Sequence, residues 1–154
     1  YHLRSKKNSQ NTSTSESVII EVMNKYNLKG NNCFLVQSTS PLVKKIDFIM
    51  ANQYFNKHKL DSLFTGFKKK IFIWRYIKNR LYPLNYNFRK RQRRQKTSLE
   101  IFENGAFYIF NIKKFLKKKN RLFGKIGCYV MPEERSIEID EKNDLKKLNR
   151  LIEK

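Results

Sequence analysis

The chain has 154 residues, of which 40% are hydrophobic and 31% charged, and its 34 Lys and Arg against 13 Asp and Glu give a formal net charge of +21. This composition is sufficient for one domain with a hydrophobic core and excludes a chain that is disordered throughout. No apolar run has the length of a transmembrane helix and no signal peptide is recognisable, so we expect a cytoplasmic protein without a membrane partner.

The first predicted elements are a helix and a buried strand. Ser13 and Glu16 have the spacing of a capping box, which predicts the start of a helix. An apolar stripe at helical spacing follows, and Gly30 would end the helix. The stripe consists of Ile19, Val22, Met23 and Tyr26. The sequence CFLVQ at 33–37 is a short continuous apolar run, which is typical of a buried strand.

A second helix is predicted after the turn STSPL. Ser40 would be its N-cap and Pro41 its first residue. Apolar residues at helical spacing predict the buried face of this helix. They are Ile46, Ile49, Met50 and Tyr54.

The second half of the chain is richer in strand patterns. Five segments predict strands: DSLFTGF, KKIFIWRYI, NGAFYIF, KIGCYVM and the short alternating SIEID. Asn111 would cap a short helix, and a last helix would be lined by Leu145, Leu148 and Ile152. The segment 79–95 contains Pro83 and little apolar periodicity, so it is predicted to leave the core. Strands that alternate with helices indicate an α/β layered domain.

Two groups of polar residues are candidates for binding chemistry. Gln37 and the hydroxyls of STSPL follow a predicted strand at its carboxyl end, where open α/β sheets bind ligands, although a plain Ser-capped turn is the commoner explanation. Glu138 and Asp140 stand two apart, so on a strand both carboxylates would face the same side and suit a hard cation such as magnesium. A solvated acidic edge is the alternative.

The third candidate group is the cationic sequence FRKRQRRQ at 88–95. Its guanidinium groups could clamp a carboxylate or a phosphate, or neutralise nucleic-acid phosphates. The excess of cations over the whole chain is typical of a protein with an anionic partner, but a drift of overall composition explains it equally well. Cys33 and Cys128 stand far apart in apolar surroundings, which predicts reduced, buried thiols and no zinc site.

Six stretches, in this order, resemble segments of the acylneuraminate cytidylyltransferases, also called CMP-sialic acid synthetases. They are YHLRSKKNSQNTSTS, LVQSTSPL, DSLFTGF with FIWR, PLNYNFRKRQRRQ, ENGAFYIF, and YVMPEERSIEID with NDL. They extend over nearly the whole chain. LVQSTSPL is similar to the family's Q-x-T-S-P motif, and PLNYNFRKRQRRQ is similar to a segment that ends in R-P-R-R-Q.

The resemblance implies a three-layer αβα, Rossmann-like fold with a mixed sheet, that of the nucleotide-diphospho-sugar transferases, as a single domain over residues 1–154. It also implies an enzyme that joins CTP to an acidic nine-carbon sugar, an N-acylneuraminate or related nonulosonic acid, and releases pyrophosphate with the help of magnesium. A homodimer is implied as well, in which an arm at about residues 75–105 enters the site of the neighbouring subunit.

The resemblance also assigns roles to individual residues. Arg93 matches the central Arg of R-P-R-R-Q, which has a catalytic role. Positions that hold the nucleotide and substrate are matched by Arg4, Ser13, Ser15 and Gln37. Residues that reach the sugar acid from the partner subunit are matched by Arg91, Arg94 and Gln95. The metal-binding pair is matched by Glu138 and Asp140.

The chain departs from the family pattern at several positions. Gln92 replaces the Pro of the arginine motif, Lys96 replaces the usual Asp after it, and Asn11 replaces an acidic residue. Glu138 replaces Asp, which keeps the charge on a longer side chain. The family's opening strand and A-R-x-G-S-K-type phosphate loop have no counterpart in residues 1–154, so an N-terminally truncated domain is expected, and this chain alone is expected to be inactive.

Three other interpretations stay open. A basic RNA-binding protein would explain the charge and the 14% aromatic content, but the aromatic residues mostly follow apolar strand patterns and no RNP or GXXG motif is present. We therefore expect no specific nucleic-acid partner. KRQRR could serve as a nuclear localisation signal in a eukaryote. The third interpretation is an inactive partial copy of the enzyme.

Overall fold

The computed structural model describes residues 1–30 and 32–152, without the side chains of residues 147 and 150–152. The predicted contribution of Ile152 to the last helix lies outside this description. The helices are α1 (Ser15–Lys25), α2 (Lys45–Lys57), α3 (Ile112–Lys118) and α4 (Lys142–Ile152). The strands are β1 (Asn32–Val36), β2 (Ser62–Lys70), β3 (Trp74–Ile77), β4 (Arg80–Pro83), β5 (Leu99–Asn111) and β6 (Ile126–Val130).

Four strands form a mixed sheet in the order β1-β5-β2-β6. The central strand β5 is antiparallel to both β1 and β2, whereas β2 and β6 are parallel. Strands β3 and β4 form a separate antiparallel hairpin. Because β1 and β2 both run against β5, their carboxyl ends point toward the same edge of the sheet, and the hairpin follows from the end of β2.

The sheet is covered on both faces, as alternation along β5 requires. Phe107 and Ile109 point to one face and pack with Ala51 and Phe55 of α2. Tyr108 and Phe110 point to the other face and pack with α1 and α3 in a second cluster. This cluster also contains Met23, Ile112 and Phe115. The predicted three-layer α/β arrangement with a mixed sheet is therefore confirmed.

The caps differ from the predicted ones in two of three helices. Thr14, not Ser13, caps α1, and its side chain accepts a hydrogen bond from the Ser17 amide. Helix α2 begins at Lys45 rather than at Pro41, because the Asp47 side chain accepts from the Lys44 amide at 2.8 Å and fixes the first turn there. The predicted cap Asn111 of α3 is confirmed, since its side chain accepts from the Lys114 amide.

The predicted buried face of α2 is wrong. Its four residues are exposed by 38–51%: Ile46, Ile49, Met50 and Tyr54. The buried face consists of Asp47, Ala51 and Phe55 instead. An ion pair with Arg135 makes the Asp47 carboxylate compatible with burial, and helical spacing of apolar residues does not reveal such a pair.

Two strand predictions also need correction. SIEID at 136–140 has no regular secondary structure; the Ile139 amide donates to the carbonyl of Thr39 at 2.9 Å, a single bond to a loop instead of a ladder. KKIFIWRYI is divided, since β2 extends to Lys70 and only Trp74–Ile77 forms a further strand. In the last helix Leu148 is buried as predicted, whereas Leu145 is 47% exposed.

Both cysteines are free and half-buried. Burial raises the pKa of the Cys33 thiol, and burial, opposed by the nearby Lys68, raises the pKa of Cys128 to about 11. Both are therefore protonated and unreactive at neutral pH. Within the part of the chain that the structure describes, the helices are too short and too polar to cross a bilayer.

Candidate nucleotide and metal site

A cleft of about 280 Å³ lies at the carboxyl end of β1, beside the N-terminus of α1. All four residues predicted to hold the nucleotide line it: Arg4, Ser13, Ser15 and Gln37. Its apolar side is formed by Val18, Ile19, Leu35 and Val36. The structure thus brings together residues that stand up to 33 positions apart in the sequence.

Strand alternation explains why Gln37 points into this cleft. Its amide donates to the carbonyl of Ala106 at 3.0 Å, so the ladder between β1 and β5 continues one residue past Val36. Cys33 and Leu35 pack against the α1 face of the sheet, and Gln37, two residues further on, points to that same face. The cleft therefore lies between the end of β1 and the start of α1.

The other wall of the cleft is formed by the chain before α1. The Ser13 hydroxyl donates to the carbonyl of Lys7 at 2.7 Å, which closes the loop that precedes the helix. Ser15 is the first residue of α1, where backbone amides lack partners within the helix. Arg4 belongs to the segment that leads into this loop, and its exposed side chain lines the cleft.

The two predicted metal ligands lie in the irregular segment 136–140. Because the Ile139 amide bonds to Thr39, the segment passes directly beside the turn that follows Gln37. Burial raises the pKa of Glu138, and the negative charges of Asp140 and Glu103 raise it further. Because the charge of Asp140 acts on Glu138, the two carboxylates lie close together, although the predicted common strand does not exist.

This donor set fits magnesium by its chemistry. Mg²⁺ prefers hard oxygen ligands, is usually held through one or two carboxylates, and would neutralise the repulsion between Glu138 and Asp140. Among the described residues no group of three or more His, Cys, Asp or Glu side chains has the arrangement of a metal site. Glu138 and Asp140 are therefore the residues that could hold the ion, with the charge of Glu103 nearby.

An irregular bulge in β5 leaves space for the side chain of Glu138. Between the pairs Phe64–Tyr108 and Gly66–Glu103, β5 has four residues where β2 has one. Gly105 in this bulge has φ +62°, and a Cβ there would lie 2.9 Å from Oε1 of Glu138. Glycine therefore suits this backbone conformation and leaves open the space that the carboxylate occupies.

Side chains hold the bulge in place. The Thr65 hydroxyl accepts from the Phe107 amide at 3.1 Å and lies 3.2 Å from its carbonyl oxygen, which it can donate to. Asn104 is buried, accepts from the Ala106 amide and donates to the Ser136 hydroxyl at 2.9 Å. The second contact links the bulge directly to the segment that carries Glu138 and Asp140.

The arginine segment lies elsewhere in the chain. Arg94 Nε donates to the carbonyl of Lys70 at 2.7 Å, and the guanidinium of Arg91 lies 4.6 Å from the centre of the Phe72 ring. A concavity of about 520 Å³ at this place is lined by Ile71, Phe72, Arg91, Gln92, Arg93 and Arg94. Gln95 is exposed, and its carbonyl accepts from the Lys70 ammonium group.

The arginines are remote from the cleft of their own chain. The cleft lies at the level of Ala106, close to Thr65, whereas β2 and β5 continue outward as a two-stranded ribbon to the pair Lys70–Leu99. The five steps along β2 from Thr65 to Lys70 span roughly 16 Å at about 3.3 Å per residue. The structure therefore brings together the four residues predicted to hold the nucleotide, whereas the lining of that cleft does not include Arg91, Arg93, Arg94 or Gln95.

Sequence reasoning missed one polar pair beside the site. Arg135 donates to Asp47 through both guanidinium nitrogens, at 2.5 and 2.9 Å, and Tyr129 donates to the same carboxylate at 3.3 Å. Burial acts to raise the pKa of Asp47, but hydrogen bonds from Arg135 and the Lys44 amide outweigh it and leave the pKa below its ordinary value. The signal in the sequence was Asp47 itself, because an acidic residue at the third position of a helix can accept from the backbone amide of the N-cap residue.

Comparison with known proteins finds N-acylneuraminate cytidylyltransferases of fish and bacteria. The chain is 32% identical over 143 residues to N-acylneuraminate cytidylyltransferase A of Danio rerio, and 27% identical over 113 residues to N-acylneuraminate cytidylyltransferase of Streptococcus agalactiae serotype III. These alignments cover 90% and 71% of the chain. The chain is a homologue of the N-acylneuraminate cytidylyltransferases. The resemblance inferred from the six sequence segments is thereby confirmed.

The alignments cover a limited part of these relatives. The chain spans 33% of the length of the Danio rerio cytidylyltransferase and 27% of that of the streptococcal one. No protein-family model matches the chain.

The fold has a solved counterpart. The 4-diphosphocytidyl-2C-methyl-D-erythritol synthase of Anaerococcus prevotii superposes with a TM-score of 0.64 at 12% identity, over 93% of this chain and 68% of that one. This likeness confirms the predicted Rossmann-like fold of this cytidylyltransferase homologue.

Proposed function

We propose that the protein transfers the CMP group of CTP to an acidic nine-carbon sugar, an N-acylneuraminate or a related nonulosonic acid, and releases pyrophosphate. One observation carries the proposal: the four residues that match the nucleotide-binding positions of the homologous cytidylyltransferases converge on one cleft at the carboxyl end of β1. Open α/β sheets bind their ligands at this edge.

The chain's own residues define the chemistry that the site can perform. The oxygen of a sugar hydroxyl forms a new bond to the α-phosphorus of CTP, and the hydroxyl loses its proton. The bond between the α-phosphorus and the oxygen that bridges to the β-phosphate breaks, and its electron pair leaves with pyrophosphate. Gln37 and Arg4 would orient the nucleotide and the sugar at the cleft. Such reactions depend mainly on alignment and on neutralisation of charge.

Glu138 and Asp140 would hold the magnesium ion beside this cleft. When bound, the ion would neutralise charge on the phosphates and on the leaving pyrophosphate. The two carboxylates alone would repel a triphosphate, so their position next to the turn after Gln37 makes sense for catalysis only with a cation between carboxylates and substrate. The bulge at Gly105 and the Asn104–Ser136 contact would keep the pair in place.

We further propose a homodimer in which the arm at about residues 75–105 serves the neighbouring subunit. The hairpin and the residues after it expose a concentration of large apolar side chains by 43–72%: Trp74, Tyr76, Ile77, Leu81, Tyr82, Leu84 and Phe88. Apolar surface of this extent is typical of a binding interface. The distance between the arginines and their own cleft supports the same arrangement, with Arg93 at the reacting phosphate and Arg91, Arg94 and Gln95 at the sugar carboxylate.

The substrate proposal is tested with the protein expressed from its complete coding sequence. We expect release of pyrophosphate from CTP only when both N-acetylneuraminate or a related acid and Mg²⁺ are present. Gln37→Ala should reduce turnover, whereas Gln53→Ala, an exposed glutamine on α2, should not. Equal turnover with ATP, or with a neutral hexose phosphate in place of the acidic sugar, would refute the proposal.

Mixed subunits test the exchanged arm. Arg94→Ala and Gln37→Ala homodimers should each be impaired, and a heterodimer of the two should recover up to about half of the wild-type activity, because one of its two sites is then intact. Activity is measured on tagged, purified heterodimers, and a heterodimer that carries both substitutions in one subunit is the matched control. Purified heterodimers without recovered activity would mean that the arm serves its own subunit.

A further inference from the structure

Glu21 organises the N-terminal segment although it lies outside the cleft. Its carboxylate lies 2.7 Å from His2 Nε2, accepts from the Ser5 amide at 2.8 Å and from the Ser5 hydroxyl at 2.6 Å, and also accepts from the Asn8 side chain. One carboxylate on the middle of α1 thus binds three residues of the preceding segment. This is an unusually complete set of donors for a side chain near the surface.

The segment is packed as well as hydrogen-bonded. Asn8 is only 8% exposed, and its amide group also lies 3.3 Å from the carbonyl of Ser17 on α1. The Ser5 hydroxyl and amide, followed by Asn8 and His2, lower the pKa of Glu21 to about 2. The carboxylate is therefore charged near neutral pH, the form that accepts hydrogen bonds from these donors.

Arg4 stands between two of these anchors. His2 and Ser5 are both bound to Glu21, so the backbone on either side of Arg4 is held while its side chain lines the nucleotide cleft. Glu21 itself lines a different concavity, together with Ser5, Lys7, Asn8, Ser17 and Ile20. The contacts of Glu21 are thus separate from the surface where the ligand would bind.

We propose that Glu21 is a positioning residue, which acts on the nucleotide through Arg4 by fixing the segment that presents it. The same segment reaches the cleft a second time, because the carbonyl of Lys7 accepts from the Ser13 hydroxyl. The inference rests on the proposed function, since it assumes that CTP occupies the cleft.

The test measures CTP affinity by titration calorimetry, together with the rate of tryptic cleavage after Lys6 and Lys7. Arg4→Ala should weaken binding roughly tenfold, as expected for one hydrogen bond to a charged group. Glu21→Gln keeps the shape of the side chain but loses its charge, and it should weaken binding by a similar factor and accelerate cleavage. Glu21→Asp keeps the charge and should retain part of the CTP affinity and part of the resistance to cleavage.

Three further variants separate positioning from general stabilisation. Asp61→Asn removes another carboxylate, which accepts from the Lys114 side chain and the Lys125 amide just before β2, and should leave CTP affinity unchanged. In an Arg4→Ala background Glu21→Gln should weaken binding no further, because its route to the nucleotide is already lost. Ser5→Ala, which removes one donor and leaves α1 intact, should give a smaller loss than Glu21→Gln.

The outcomes distinguish the two proposals. Wild-type protein that does not bind CTP would overturn the proposed function, and the positioning role of Glu21 with it. Binding by the wild-type protein that is unchanged in Glu21→Gln would overturn the positioning role alone. Losses from Arg4→Ala and Glu21→Gln that multiply in the double variant would also overturn it, since they would show that the two residues act independently.

Discussion

Replacement of Asp140 by Asn is expected to reduce magnesium-dependent turnover by at least about 100-fold, since even the partners that orient a metal ligand contribute up to roughly that factor. An amide lacks the negative charge through which one or two carboxylates hold this cation. Two readouts are needed, CMP-sugar formation and the binding of Mn²⁺ in place of Mg²⁺, followed by electron paramagnetic resonance. Both should fall together, while the circular dichroism spectrum is unchanged.

Neighbouring carboxylates provide the controls for Asp140. Glu138→Asp should have a mild effect, because it keeps the charge and restores the residue that the resemblance implies for this position. Glu141→Gln changes the next, exposed carboxylate and should leave Mn²⁺ binding and turnover as they are in the wild-type protein. Full activity of Asp140→Asn would show that 138–140 is a solvated acidic surface and that the metal is held elsewhere.

Replacement of Arg135 by Leu is expected to destabilise the fold by about 3–5 kcal/mol, the usual cost of leaving one partner of a buried ion pair without the other. Asp47 is 1% exposed and would keep the Lys44 amide and a long contact with Tyr129. The free energy of unfolding is measured by urea denaturation. A second substitution, Asp47→Asn in the Arg135→Leu protein, should recover part of the loss, because a neutral amide tolerates burial better.

The pH dependence of this loss has a definite sign. In the wild-type protein the pKa of Asp47 lies below its ordinary value of 3.8, so its contribution is present above that pH and is lost as pH falls through the folded pKa. Without Arg135, burial would raise this pKa, and protonation would relieve the unpaired charge. The deficit of Arg135→Leu should therefore be largest near neutral pH and should shrink as the pH falls below about 5.

The cost of losing Arg135 is compared with that of losing an exposed ion pair of Glu133, which lies two residues before it. Lys69 pairs with Glu133, and both side chains are at least one-third exposed. Glu133→Gln should change the free energy of unfolding by less than about 1 kcal/mol, as is usual for surface pairs. If Arg135→Leu were equally mild, the pair with Asp47 would not be the constraint that fixes α2.

Only the Gln37 side of the cleft was predictable from local signals in the sequence. The continuous apolar run before Gln37 indicates a buried strand, and the ligand edge of an open sheet follows from the end of that strand. Arg4, Ser13 and Ser15 came from the resemblance alone, since no pattern in a polar segment specifies which side chains will meet a distant strand.

The errors have a common origin in long-range polar contacts. The orientation of α2 depends on Arg135, 88 residues after Asp47, and apolar spacing points to the wrong face when a charged residue is neutralised in the core. SIEID alternates like a strand, yet its backbone bonds to the turn at Thr39 because no strand is available beside it among the described residues. Local sequence propensity contains no information about Arg135 as the partner of Asp47, or about Thr39 as the partner of Ile139.

The bulge in β5 also determines which face of the sheet the residues on either side of it present. Glu103 and Tyr108 are five residues apart, an odd separation that would place them on opposite faces of a regular strand, yet the Tyr108 hydroxyl donates to Glu103 at 2.5 Å. Three extra residues relative to β2 restore the common face. Outside the bulge, a slip of β5 against β2 by a single residue would turn every β5 side chain of the outer ribbon to the opposite side and separate the stacked rings of Phe67 and Phe102.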